Sequence, residues 1–217
     1  MDTRKTILYI HGMGGGGDSR IPGIMRDALR TYDSVRLIIR TYDFNPDIAS
    51  GQIASWVKEV SPDLVIGESM GAIHALAIGG VPHLLVSPSL NAPVFFGLMR
   101  FVCLIPGVTS LFDRVYKPKE GDRQKLHFTW KNLRHWGLYR KKALALSPSR
   151  GGKDFFHAFF GTDDHYRRSG VVLIRTWEKY YGKTYTVYNG THFMEEEYIH
   201  SLLIPSALKI LGIGKDQ

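Results

Sequence analysis

The chain has 217 residues, of which 44% are hydrophobic and 22% charged, and it carries a formal net charge of +8. That composition supplies one sizeable core and excludes a disordered chain. A lone cysteine, Cys103, excludes an internal disulfide, and no uninterrupted apolar run is long enough for a membrane span, so a soluble protein of a reducing compartment, the cytoplasm, is expected.

Short apolar runs alternate with amphipathic stretches along most of the chain. Ile7–Ile10 reads as a strand too short for a signal-peptide core, and a glycine loop follows it. Asp18 or Ser19 is placed to cap a helix to about Tyr32. Val35–Ile39 is a second strand, and Asp47 is placed to cap a helix to about Val60. Asp63–Ile66 is a third strand, with a helix from Met70 to about Ile78, and His83–Ser87 is a fourth. Asp154–Phe160 is a fifth, with a helix from about Ser169 to Tyr181. Thr184–Tyr188 is a sixth, and a last helix runs from about Phe193 to Leu211. Repeated strand–helix units predict about six mostly parallel strands in one domain, residues 1–217, with helices on both faces.

Residues 89–152 break this alternation, and so long a connection implies a helical insertion, or lid, over one edge of the sheet. Ala92–Phe112 is apolar but interrupted by Pro93, Gly97, Pro106 and Gly107, so it predicts short helices packed over Ser69. Between Arg114 and Lys153 twelve Lys or Arg meet two acids, a balance of +10, while the remainder of the chain balances to −2. Trp130, Trp136 and Tyr139 are interleaved with these charges. Such a charge run is ordinarily a solvated face. Beside an apolar pocket it also predicts a preference for anionic ligands, or contact with an anionic surface.

Four motifs carry chemistry, each after a predicted strand. Gly67-Glu68-Ser69-Met70-Gly71 matches G-x-S-x-G between an apolar run and a helix. There a strained turn exposes a serine hydroxyl, Gly67 and Gly71 leave room for it, and the helix start favours negative charge. The loop after the first strand, with Gly12, Met13 and Gly14, can bring a backbone amide to an oxyanion. Met13 and Met70 are the expected donors. Gly161-Thr162-Asp163-Asp164 ends the fifth strand, and spacing favours Asp164 over Asp163 as the carboxylate that orients a base. Gly190-Thr191-His192-Phe193 follows the sixth, and His192 is placed to take the serine proton. The order Ser69, Asp164, His192 is that of a nucleophile, its orienting acid and its base.

Other residues read as structural. His11, at a strand end, is expected to pack locally, and His165 to cap a turn. His74, His83, His127, His135, His157 and His200 show no metal-ligand spacing, and Cys103 reads as packing. Gly12 to Gly17 also satisfies G-x-G-x-x-G, which a dinucleotide fold would use for a pyrophosphate. The acid that fold requires is absent from the end of the second strand, which runs into Arg40 with Asp43 displaced beyond it.

Residues Ile7–Gly14, Gly67–Gly71, Gly161–Asp164 and Gly190–Phe193 resemble the landmarks of the α/β-hydrolase superfamily, and the compact plan resembles its small YqiA-like serine esterases. The resemblance covers Ile7–Pro88 and Asp154–Leu211 and leaves out the insertion. It implies hydrolysis of a carboxylic ester or thioester through an acyl-enzyme, with no cofactor and no metal. The implied partner is a small-molecule substrate. Nucleic acid and a transmembrane segment are not expected, and the oligomeric state is open. Two other readings stand beside it: a silent binding protein of this fold with a basic aromatic surface, and a nucleotide-binding protein using the glycine loop.

Overall fold

The computed structural model describes residues 4–118, 120–146 and 155–214. Six strands, β1 (Lys5–Ile10), β2 (Val35–Ile39), β3 (Leu64–Glu68), β4 (His83–Val86), β5 (Phe156–Gly161) and β6 (Tyr185–Tyr188), form one sheet in the order β2-β1-β3-β4-β5-β6. Every pairing is parallel. A strand buried on both faces alternates its side chains between two cores. On β1, Ile7 and Tyr9 enter one core while Leu8 and Ile10 enter the other; on β3, Leu64 and Ile66 oppose Val65.

The first core is closed by α1 (Arg20–Leu29), which buries Ile21, Met25 and Leu29 at helical spacing, and by the C-terminal helices. Those are α9 (Glu196–Tyr198), a π-helical turn over Ile199–Leu203, and α10 (Ile204–Leu211). The widened turn runs into Pro205, which has no N–H to give to the preceding turn. The predicted helix from Phe193 thus begins three residues late and is not uniform. The second core is closed by α2 (Pro46–Val60), α3 (Gly71–Ala75) and α8 (Ile174–Tyr181), with α7 (His165–Arg168) forming a short turn before α8. The cap of α2 is Asn45, whose side chain accepts from the Asp47 N–H, so Asp47 is the capped residue and not the cap. Ser19 caps α1 by position, but its hydroxyl accepts from the Gly16 N–H instead.

Between β4 and β5 the chain forms α4 (Ala92–Val102), α5 (Val108–Val115) and α6 (Trp130–Leu146). The predicted break at Pro106–Gly107 is real, and Gly107 has φ +85°. Gly97 does not interrupt α4. Residues 147–152 of the predicted insertion and Asp154 of the predicted fifth strand lie outside the described residues. The helix α6 packs on α4 and also on α2 and α3. Trp136 is buried there and donates its indole N–H to Phe44 O at 3.0 Å. Tyr139 meets His74 at 3.0 Å. Trp136 is therefore core, and Tyr139 is half-buried against it, so neither is a free stacking surface. The apolar run expected to be buried is buried on one side only: α4 covers Ala92, Pro93 and Phe96, whereas α5 buries none of its residues.

Candidate active site

The C-terminal ends of β1, β3, β5 and β6 bring the four motifs together. In an open parallel sheet that edge, where the order reverses between β1 and its neighbours β2 and β3, is where ligands bind. Ser69 follows β3 with φ +51°, a left-handed conformation that costs a non-glycine residue about 1–2 kcal/mol. Three backbone bonds hold it: Ser69 N–H donates to Val86 O at 2.9 Å, and Ser69 O accepts from the Ser89 N–H at 3.0 Å and the Ala72 N–H at 3.3 Å. The flanking glycines are steric requirements. A Cβ on Gly71 would lie 2.2 Å from His11 O, and one on Gly67 would lie 2.7 Å from Ala75 Cβ. The helix behind the serine, α3, is only five residues long and ends earlier than its predicted limit at Ile78. So short a helix adds little dipole, and any stabilisation of negative charge falls to local amides.

The Ser69 hydroxyl lies 3.0 Å from His192 Nε2, and His192 Nδ1 lies 2.8 Å from Asp164 Oδ2. With Nδ1–H donating to the carboxylate, Nε2 is free to accept from the serine. Both Asp164 oxygens are engaged, because Oδ1 accepts from the Tyr166 N–H at 2.8 Å, capping α7. Asp163 is exposed, with its own N–H donated to Gly190 O. His192 and Asp164 are almost completely buried, and the Tyr166 ring meets the His192 imidazole edge-on at 4.6 Å. His165 lies farther off, 6.1 Å from His192, at the start of α7. A hydroxyl on an imidazole whose far nitrogen is fixed by a carboxylate is an arrangement suited to nucleophilic catalysis.

Several residues that motif reading passed over hold this geometry. Arg20 donates to Phe193 O at 2.6 Å and Met194 O at 2.7 Å, tying α1 to the histidine loop. Glu195 accepts from the Thr191 N–H at 3.0 Å. Ser89 places its hydroxyl 3.0 Å from that of Ser69, as a second partner beside His192. Glu68 is buried and accepts from Tyr9 OH at 2.8 Å. Burial raises its carboxyl above the ordinary value, while the Tyr9 bond and the nearby His192 charge pull the other way. Its place inside G-x-S-x-G was visible in sequence, but its burial against Tyr9 of a neighbouring strand was not.

The glycine loop is not open for a pyrophosphate. Gly14 N–H donates to Gln124 Oε1 at 3.0 Å, Gly17 N–H donates to Asp122 Oδ2 at 3.3 Å, and Gln124 N–H donates to Gly15 O at 2.7 Å. A carboxylate from the insertion sits against the loop, which disfavours a phosphate there. Among the described residues, the Met13 and Met70 amides donate no hydrogen bond within the protein. Both residues line a cavity of about 610 Å³ together with Gly12, Ser69 and His192. Its apolar wall includes Ala92, Phe95 and Phe96 of α4, and Lys117 and Arg123 reach it from the basic segment. Arg123 is already paired with Asp18 at 2.6 Å.

His11 and His74 behave as core residues. His11 stacks on Tyr42 at 4.3 Å, and its backbone carbonyl accepts from Tyr42 OH at 2.6 Å. Burial pushes His11 down to about 4 and His74 to about 3. The sign follows directly. Between about pH 6.5 and pH 4 the unfolded chain takes protons that these folded residues refuse, so stability falls as pH falls through that window. Glu68, raised by burial, acts in the opposite direction. Urea unfolding is expected to show a loss of up to about 1.4 kcal/mol per pH unit per histidine below pH 6.5, reduced by Glu68. Stability that stays flat down to pH 4 would contradict burial as the cause.

No family model matches the sequence, and no curated protein matches it by sequence. Comparison with solved structures finds 151 matching chains. Est1E from Butyrivibrio proteoclasticus, solved with ferulic acid bound, has a TM-score of 0.63 at 13% identity, over 98% of this chain and 91% of that one. A monoacylglycerol lipase of Paleococcus ferrophilus has a TM-score of 0.59 at 14% identity, over 95% of this chain and 94% of that one. A fluorophosphonate-binding serine hydrolase of Staphylococcus aureus, FphF, has a TM-score of 0.56 at 12% identity, over 97% of this chain and 85% of that one. With its all-parallel six-stranded sheet and flanking helices, the chain has the α/β-hydrolase fold.

Proposed function

We propose that the protein is a serine hydrolase that cleaves a carboxylic ester, or a thioester, through an acyl-enzyme. The observation that carries this reading is the unbroken series from Ser69 Oγ to His192 Nε2 at 3.0 Å and from His192 Nδ1 to Asp164 at 2.8 Å, opening on a largely apolar cavity. Ser69 attacks the acyl carbon while His192 takes its proton. The resulting oxyanion accepts from the Met13 and Met70 amides. His192 then protonates the departing alcohol or thiol, and a water activated by the same imidazole releases the acid. Esterases and lipases among the structural neighbours support the same reaction class. No residue's role in this scheme requires a cofactor.

The Ala92–Phe96 wall and the residues around Val115 form the acyl side of the cavity, as a lid over Ser69. This favours medium or long acyl chains over acetyl, because each buried methylene contributes about 0.8 kcal/mol. A panel of chromogenic esters of graded acyl length, with neutral and anionic members, tests the reading. Acetyl to octanoyl adds six methylenes, so kcat/KM is expected to rise by at least about tenfold and, with all of them buried, by up to about 10³-fold. Activity absent on every member, esters and thioesters alike, would sink it. Positive charge at the rim rests on Lys117 and on Arg20, whose guanidinium bonds only to carbonyls among the described residues, because Arg123 is paired, so an anionic ester should gain modestly and lose that gain in high salt.

A further inference from the structure

The helices α4 and α5 present an apolar face that nothing in the described protein covers. Leu98 is 80% exposed, Val115 65%, Leu104 61% and Ile105 57%, with Phe101 and Leu111 also more than half exposed. A single exposed leucine is ordinary; six such side chains within eighteen residues of one hairpin are not. Neither helix accounts for them by spanning a bilayer. At eleven and eight residues both fall short of the ~20 residues needed, and no helix among the described residues is long and apolar enough to cross.

We propose that this face docks on the surface of an anionic lipid bilayer, with α4 and α5 lying in the plane of the interface. Two observations select that occupant. The first is charge. Arg100, Arg114 and Lys117 stand among the apolar residues with one acid, Asp113, which faces His127 at 3.0 Å. The sequence from Arg114 to Lys153 balances to +10, although Arg123 is paired with Asp18 and Arg140 is bonded to Leu90 O. A second copy of this chain would bring like charge against like, whereas anionic headgroups complement it. Arg100 lies over the Phe101 ring at 4.7 Å, a pairing that lets an aromatic ring enter the acyl boundary while the guanidinium stays at headgroup level. The second is continuity. Phe95, Val115 and Tyr116 are exposed and also line the cavity that holds Ser69. The apolar face therefore adjoins the mouth of the cavity that holds Ser69.

The docking does not depend on hydrolysis, so it is tested with both the wild-type protein and Ser69→Ala. Each is mixed with vesicles of phosphatidylcholine alone or of phosphatidylcholine with phosphatidylglycerol, and bound protein is measured by flotation. Both proteins should bind the phosphatidylglycerol vesicles at least about tenfold more tightly than the neutral ones. Raising salt from about 0.1 M to about 1 M, where the Debye length falls from ~10 Å to ~3 Å, should weaken that binding. Leu98→Asp with Leu104→Asp should reduce it at least about tenfold while leaving the circular dichroism spectrum and hydrolysis of a short water-soluble ester unchanged, because neither side chain lines the cavity. Failure to bind phosphatidylglycerol vesicles, or equal binding by the double variant, overturns the proposal. A wild-type dimer in sedimentation that the double variant dissolves assigns the face to a second copy and also overturns it.

Discussion

Ser69→Ala is expected to lower ester hydrolysis about 10³- to 10⁶-fold with the fold intact. The substitution removes one oxygen, the atom that meets both His192 and Ser89. The backbone at φ +51° is held by bonds to Val86 and Ser89, which alanine keeps. The oxyanion donors, the cavity and the His192–Asp164 pair are untouched, so substrate binding should persist and the loss should fall on kcat. Steady-state kinetics on the best ester of the panel, with a thermal melt as control, checks this. Full activity in the purified variant would remove Ser69 from the mechanism. A large fall in melting temperature would instead mean that the hydroxyl is structural.

Asp164→Asn should cost nearly as much, on the order of 10⁴-fold in kcat. An amide can still cap α7 through its oxygen, so the loop keeps its shape. It cannot stabilise the imidazolium, and its NH₂ favours the tautomer that leaves the proton on Nε2, where the serine needs an acceptor. Asp163→Asn is the control, since Asp163 is exposed and contributes only its backbone N–H to the Gly190 contact. Its activity should stay within about twofold, as for a surface change away from the reacting atoms. A crippled Asp163→Asn beside a near-normal Asp164→Asn would show that Asp163, not Asp164, is the orienting carboxylate.

The sheet was legible because each strand is a compact apolar run between turn residues, and Val35–Ile39 forms as read. That Ser69, Asp164 and His192 would meet was legible because each sits at a strand end in a motif whose glycines have one steric use. At Gly161, for example, a Cβ would meet Gly190 O at 2.2 Å. What local pattern could not supply was the partner across the fold. Nothing near Gly14 or Gly17 in sequence announces Gln124 and Asp122, more than a hundred residues away, as the groups that occupy the loop. Trp136 read as part of a basic aromatic surface because its neighbours are charged, yet its own side chain points into the second core. Composition over Ala92–Phe112 marked an apolar run without saying that one of its faces would stay uncovered.

The most direct measurement is covalent labelling with a fluorophosphonate, read by intact mass and then by peptide mapping. The phosphorus centre requires an activated hydroxyl and an oxyanion site, so it reports the proposed machinery without knowledge of the natural substrate. One adduct is expected, on Ser69, absent from Ser69→Ala and formed far more slowly in His192→Ala. No adduct on the wild-type protein, or an adduct at another residue that persists in Ser69→Ala, would contradict the assignment of Ser69 as the nucleophile.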